Sequence, residues 1–127
     1  MKLACIDVGL KRIGVAICLN GSIVTPQPAI LRKNRDQASN DVNTFLKEWE
    51  IEKLIIGYPS ASEDMQKRIQ HFTKLLDLKI PFDYCEENMS SIEAEDLIKG
   101  DIKYKRDGRV DSIAAKIILE RYISKNK

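Results

Sequence analysis

The stretch KLACIDVGLKRIGVAICL, residues 2–19, contains two apolar runs separated by a short polar segment. These runs predict two β-strands, Lys2–Val8 and Arg12–Leu19. A third apolar run, Ser22–Leu31, follows Asn20-Gly21, a dipeptide that favours a type I′ hairpin turn because both residues accept a positive φ. The chain is therefore predicted to begin as an antiparallel meander of three strands.

The third strand carries two prolines, Pro26 and Pro28, which lack the backbone N–H of a sheet ladder and so favour an edge position. After it, the hydrophobic periodicity alternates between helix and strand. The predicted elements are a helix at Asp36–Glu50, a strand at Lys53–Gly57, a helix at Glu63–Leu78, a strand at Phe82–Cys85, and helices at Ser90–Lys99 and Arg109–Ile123. This order predicts an α/β fold with a mixed five-stranded sheet, in which the first three strands are antiparallel, the last two are parallel, and helices cover both faces.

The composition is that of one compact domain. The chain has 127 residues, of which 43% are hydrophobic, so a single domain over residues 1–127 is expected. The N-terminus has no signal-peptide pattern and no apolar run approaches the roughly 20 residues of a membrane span, so a cytoplasmic protein with no membrane partner is expected. Three separated cysteines and a single histidine, His71, argue against a disulfide framework and a structural zinc site.

Basic residues nearly balance acidic ones, 21 against 19, and the net charge of +2 does not by itself indicate nucleic acid. Their distribution is more informative, because they gather in short groups at predicted loops and element ends. The groups are Lys11-Arg12, Arg32-Lys33 with Arg35, Lys67-Arg68, and Lys103, Lys105, Arg106 and Arg109. Each group has two interpretations, a solvated surface or a set of cations that neutralises phosphates.

Acidic residues stand at three places where the predicted topology puts functional groups. Asp7 interrupts an apolar strand expected to be central, where a carboxylate is costly to bury unless it is paired or bound to metal. Glu86 and Glu87 directly follow the last strand, at the carboxyl edge where open α/β sheets place their sites. Asp111 lies in the first turn of the last helix, beside alanines that permit close packing. Each acid alone also has an ordinary explanation, as a turn residue or an acid near a helix N-terminus.

Together these acids come from a strand, a strand end and a helix that the topology can bring to one edge. Carboxylates ionise near pH 4, so such a cluster repels itself at neutral pH unless divalent cations relieve the repulsion. Ligands that are all oxygen favour Mg²⁺ or Mn²⁺, and two such ions about 4 Å apart can activate a water and stabilise the leaving oxygen of a phosphodiester. The pattern therefore predicts a two-metal site.

The motifs that contain these acids resemble those of the YqgF family, also called RuvX, within the ribonuclease H-like superfamily. The resemblance spans almost the whole chain. It is carried by Asp7–Ala16, Ile56–Pro59, Glu87–Ala94 and Val110–Glu120. The family is known for Holliday junction resolvases and for nucleases that process pre-16S ribosomal RNA.

The resemblance implies a ribonuclease H-like nuclease in which Asp7, Glu87 and Asp111 are the catalytic residues and hold the Mg²⁺ or Mn²⁺ ions. The register of the motif prefers Glu87 over Glu86, which stands where the family usually has Asp. The leading function that it implies is processing of the 5′ end of pre-16S ribosomal RNA. Resolution of Holliday junctions is the alternative within the same class.

Nucleic acid is the partner that this resemblance implies, and Lys11, Arg12 and Arg109 are the predicted substrate-binding residues. Junction resolution needs two coordinated sites, so the oligomeric state, monomer or dimer, stays open. Asn88 replaces a customary Arg, which keeps open a nucleic-acid-binding module without cleavage. An actin-like or sugar-kinase-like ATPase shares the opening Asp-x-Gly but needs two lobes, and 127 residues supply one.

Overall fold

The computed structural model describes residues 1–86 and 109–125, with side chains in the second range from Ser112 onward. The elements follow the predicted order. They are β1 (Leu3–Val8), β2 (Arg12–Cys18), β3 (Thr25–Leu31), α1 (Arg35–Glu48), β4 (Lys53–Tyr58), α2 (Glu63–Leu76), β5 (Phe82–Glu86) and α3 (Arg109–Lys125). The helix predicted at Ser90–Lys99 lies outside the described residues.

The five strands form one mixed sheet in the order β3-β2-β1-β4-β5. Strand β2 is antiparallel to β1 and β3, whereas β1, β4 and β5 are parallel, which confirms the predicted sheet. The prediction that the proline-containing strand lies at an edge is also correct. Because β1, β3, β4 and β5 run in one direction, they end at the same side of the sheet, which we call the carboxyl edge.

Two hydrophobic layers enclose the sheet, because successive side chains of a strand point to opposite faces. On one face, residues such as Ile6 of β1 pack in a cluster with Val42 of α1 and Phe72 of α2. On the other face, residues such as Cys5 pack in a cluster with Ile118 of α3. Helices therefore cover both faces, as predicted, and the parity of a strand residue decides which layer it joins.

The cysteines belong to the core. Cys5, Cys18 and Cys85 are buried and form no disulfide, as the sequence predicted. Burial raises the pKa of the Cys85 thiol, so this thiol stays protonated at neutral pH. All three are buried and pack as small side chains of the core.

The connection between β2 and β3 differs from the predicted type I′ turn. Gly21 has a positive φ, 80°, but Asn20 does not. The Asn20 side chain instead accepts hydrogen bonds from the backbone N–H groups of Ser22 and Ile23, at 3.1 and 3.0 Å. The prediction was wrong because this side-chain acceptor replaces a backbone turn, and the longer connection delays the start of β3 to Thr25.

The helix ends are set by local hydrogen bonds that differ slightly from the predicted bounds. Helix α1 begins at Arg35 because Asn34 accepts a hydrogen bond from the backbone N–H of Gln37, whose side chain accepts one from the backbone of Asn34. Helix α2 ends at Leu76 rather than Leu78, because Asp77 adopts a left-handed conformation with φ 48° and ψ 54°.

The left-handed conformation of Asp77 gives a test of the fold. We expect Asp77→Gly to raise the free energy of unfolding by about 0.5–1 kcal/mol, since glycine adopts a positive φ without a Cβ penalty. Asp77→Ala should lower it, because alanine tolerates this conformation less well than aspartate. Urea unfolding of both variants measures the difference, and equal stabilities would contradict this explanation of the helix end.

Candidate active site

Asp7 lies one residue before the end of β1, the central strand, and pairs with Gly14 of β2. Alternate residues of a strand share one face of the sheet, and Leu3 and Cys5, which alternate with Asp7 in this way, pack in the core beneath α3. Asp7 therefore stands on the face of the sheet that α3 covers. Its side chain is half-buried. A carboxylate at this depth, close to the carboxyl edge of the central strand, has the placement that the sequence predicted.

The turn that follows Asp7 is closed by glycine. The backbone N–H of Gly9 donates to the carbonyl oxygen of Arg12 at 2.9 Å. A Cβ on Gly9 would stand 2.6 Å from that oxygen, closer than a side chain can approach backbone. Glycine is thus required by the close approach of two backbone segments, and the turn that holds Asp7 in register cannot accept a larger residue without shifting.

Ser112 anchors the first turn of α3 to the sheet. Its hydroxyl accepts a hydrogen bond from the backbone N–H of Val15 at 3.4 Å and donates one to the carbonyl oxygen of Gln27 at 2.5 Å. The register between β2 and β3 shifts between Ile13 and Val15, so Ser112 bonds to both strands where their ladder is irregular. This buried hydroxyl fixes where α3 starts.

Asp111 precedes Ser112 in the first turn of α3, and its side chain lies outside the described part of the chain. The hydrogen bond between Ser112 and Val15 still locates this turn, because Val15 pairs with Ile6, the residue before Asp7. Ala114 of the same helix is fully buried, which confirms that small residues let α3 pack closely. The first turn of α3 and Asp7 therefore occupy the same face of the sheet.

Ser112 was not predicted to be a site residue. The available signal was weak: a small hydroxyl residue directly after Asp111, at the start of an otherwise apolar helix face. Its role is to position α3, because the described contacts of its hydroxyl are to the backbone of β2 and β3.

Strand β5 ends at Glu86, which pairs with Tyr58 at the carboxyl edge. Glu86 has the parity of Tyr84, whose hydroxyl donates to Thr73 of α2. Its strand position is thus opposite in parity to that of Asp7, but at the exposed edge of the sheet it also lines a surface pocket with Arg121, Ser124 and Lys125 of α3. Its carboxylate accepts a hydrogen bond from the hydroxyl of Ser60. Glu87, the predicted catalytic residue, lies outside the described residues, so its place in the site stays a prediction.

Two of the three predicted substrate-binding cations, Lys11 and Arg12, lie at the carboxyl edge. Lys11 is exposed in the turn after β1, Arg12 begins β2 and is half-buried, and the side chain of Arg109 lies outside the described residues. Arg32 was not among them, yet its Nη1 donates to the carbonyl oxygen of Gly9 at 3.0 Å. Burial lowers the pKa of Arg32, and the nearby charges of Arg35 and Arg68 lower it further.

The described part of the chain supplies one of the three predicted metal ligands, the carboxylate of Asp7. No group of three His, Cys, Asp or Glu side chains that could hold a metal ion occurs among the residues whose side chains are described. A half-buried carboxylate is a hard oxygen donor that suits Mg²⁺ or Mn²⁺, so Asp7 fits the predicted site as far as it is described. No helix in residues 1–86 or 109–125 is long and apolar enough to cross a membrane.

Solved structures share the architecture of this chain. The structure of the fowlpox virus resolvase with its substrate Holliday junction DNA aligns with a TM-score of 0.60 at 16% identity and covers 99% of both chains. Thermus thermophilus RuvC aligns with a TM-score of 0.56 at 9% identity, over 98% of this chain and 95% of that one. At such low identity the likeness shows the fold alone, and it confirms the ribonuclease H-like fold.

Sequence comparison identifies the family within this fold. The family described as "RuvX: Holliday junction resolvase" matches residues 1–125. A protein of Sulfurovum sp. (strain NBC37-1) named "Putative pre-16S rRNA nuclease" is 63% identical over 127 residues, which are 98% of this chain and 99% of that protein. A protein of the same name from Sulfurimonas denitrificans is 48% identical over 126 residues, 97% of each chain. The chain belongs to the RuvX family, as its motifs indicated.

The anchoring role of Ser112 is testable. Ser112→Ala removes the hydrogen-bond partner of two backbone groups, so we expect the free energy of unfolding to fall by about 1–3 kcal/mol. Amide hydrogen exchange at Val15 should also become faster. Ser124→Ala is the matched control, because Ser124 is exposed in the same helix. A Ser112→Ala protein as stable as the control would show that the hydroxyl does not anchor α3.

Proposed function

We propose that this protein is a metal-dependent nuclease that hydrolyses phosphodiester bonds in ribosomal RNA, in the maturation of the 5′ end of pre-16S rRNA. The observation that carries the proposal is the whole-length identity of 63% to a relative named for this activity. The place of Asp7 on the α3 face of the central strand supports it, because a ribonuclease H-like fold brings acidic residues together there. Ribosomal RNA as substrate implies action in the cytoplasm.

In the proposed site, Asp7 and Asp111 bind the metal ions and Glu87 completes the ligand set. Free carboxylates ionise near pH 4, so three of them brought close together repel one another without a compensating positive charge. Bound Mg²⁺ or Mn²⁺ would supply that charge and would lower the pKa of a coordinated water. The chain's own contribution is positional: Gly9 closes the turn after Asp7, and Ser112 fixes the start of α3, next to Asp111. Lys11, Arg12 and Arg109 are proposed to contact substrate phosphates.

Holliday junction resolution is the second candidate. The description of the matching family as a Holliday junction resolvase favours it, and the fowlpox virus resolvase, solved with its substrate Holliday junction DNA, has the same fold. Resolution needs two symmetric cuts and hence two active sites in one assembly. A stable dimer that cuts four-way junctions faster than ribosomal RNA precursors would favour this function over the first.

The direct test compares cleavage of pre-16S rRNA fragments, single-stranded RNA, duplex DNA and four-way junctions in Mg²⁺ and in Mn²⁺. We expect Asp7→Asn, Asp111→Asn and Glu87→Gln each to lower the cleavage rate by about 100- to 1,000-fold, the effect of losing a few kcal/mol of transition-state stabilisation. Glu86→Gln is the matched control, because Glu86 has the opposite parity to Asp7, and it should retain most of the rate.

Two results would contradict the assignment. Unchanged cleavage in Asp7→Asn and Asp111→Asn would exclude these acids as the catalytic site. Binding of RNA that persists in chelator, with no cleavage and no rise of Tm in Mg²⁺, would instead identify a nucleic-acid-binding module, since a ligand that binds the native state raises its stability.

A further inference from the structure

Three arginines lie on the face of the sheet opposite α3, and one of them, Arg32, contacts the turn that follows Asp7 while the other two are close enough to affect its pKa. We call Arg32, Arg35 and Arg68 the arginine cluster. We propose that the arginine cluster binds the phosphodiester backbone of the nucleic-acid substrate where it leaves the active site across the carboxyl edge. This inference rests on the proposed nuclease function and adds a binding surface that the sequence motifs do not mark.

Arg32 joins the cluster to the active-site turn. Its Nη1 donates to the carbonyl oxygen of Gly9 at 3.0 Å, and Gly9 is two residues after Asp7. Its Cζ stands 5.5 Å from the centre of the Phe72 ring, which is almost fully buried in α2. The guanidinium is therefore held between the turn and a helix. Of its five N–H groups, the described residues give an acceptor to one, which leaves donors that a phosphate can accept.

Arg35 and Arg68 stand on the two helices of this face. Arg35 is the first residue of α1, and its Nη1 donates to Nε2 of His71 in α2 at 3.0 Å. A cation at this end of a helix is unfavourable, because the helix dipole is positive there. Arg68 precedes His71 by three residues, so both lie on the same face of α2. Both arginine side chains are exposed and available to a ligand.

Within residues 1–86 and the described side chains of α3, the three arginines form no ion pair with a carboxylate. Among the described residues, no carboxylate comes within 4.0 Å of any of the three guanidinium groups, and the ion pairs found there involve lysines instead. Asp36 and Asp64, which lie in the first turns of the two helices, also stay beyond this distance. The lowered pKa of Arg32 reflects its burial first and then the two neighbouring positive charges. A bound anion would reduce the repulsion among these three positive charges.

A phosphodiester backbone suits the position and the chemistry of this anion site. Guanidinium groups match phosphate oxygens in charge and in bidentate geometry. Arg32 contacts the carbonyl of Gly9, two residues after Asp7, so a strand that passes Asp7 and crosses the carboxyl edge meets the cluster first at Arg32. Each phosphate that it neutralises should release counterions and make binding depend on salt.

The experiment measures binding of a fluorescent single-stranded RNA in chelator, where cleavage cannot occur, from 50 to 300 mM KCl. The variant Arg32→Gln, Arg35→Gln, Arg68→Gln should bind at least about 10-fold more weakly at 100 mM KCl. The slope of log affinity against log salt should become shallower by about 2, the value for three phosphate contacts on a single strand. In Mg²⁺, its KM for RNA cleavage should rise more than its kcat falls.

The matched control removes three exposed lysines at or just beyond the opposite ends of α1 and α2, of which Lys79 is paired with Asp77. Lys47→Gln, Lys74→Gln, Lys79→Gln changes three exposed cations, and it should bind RNA within about threefold of wild type with an unchanged salt slope. The double variant Arg35→Gln, Arg68→Gln keeps Arg32 and its contact with Gly9. It should still reduce the slope by about 1.4, which separates loss of binding from any loss of folding.

The possible results distinguish this inference from the nuclease assignment. Wild-type protein that cuts RNA, with arginine variants that bind like the lysine control, would overturn the arginine cluster and leave the nuclease intact. Wild-type protein that neither binds nor cuts nucleic acid would overturn both. Competition by polyglutamate as strong as by unlabelled RNA at equal charge would also overturn the inference, because it would show a general anion surface.

Discussion

The structure depends on the position of β1, which is hydrogen-bonded to a strand on each side and covered by helices on both faces. Every side chain of such a strand belongs to one of two layers, and a polar one is costly unless it has a function or a partner. Asp7 is the last residue of β1 that faces α3, and its side chain is half-buried there. Helix α3 then determines its surroundings, because Ser112 holds the start of that helix against the same face.

Much of the fold could be predicted because its signals are local. Continuous apolar runs indicated the inner strands, and the prolines of β3 indicated an edge. Local signals failed at two places. The side-chain carbonyl of Asn20 accepts hydrogen bonds that replace a type I′ turn, and the backbone of Asp77 ends α2 in a left-handed conformation. Neither outcome changes the hydrophobic pattern, so neither could be deduced from it.

The candidate site could be predicted only in part, because local sequence signals mark only some of its residues. Asp7 was visible as a single acid inside an apolar strand. Ser112 was not, because its partner Val15 is 97 residues away and the contact follows from the packing of α3. Arg32 was visible only as a member of a basic group, since its bond to Gly9 spans 23 residues and arises when β3 returns beside the turn. Residues whose roles depend on such distant contacts need the tertiary structure.

The prolines of β3 have a further consequence for the behaviour of the protein at high concentration. Exposed sheet edges are templates on which other chains add strands, the first step of aggregation. Pro26 and Pro28 remove two backbone donors from the outermost strand at one side of the sheet. A second molecule that approached this edge would find an incomplete ladder, so β3 is a poor template for the addition of another strand.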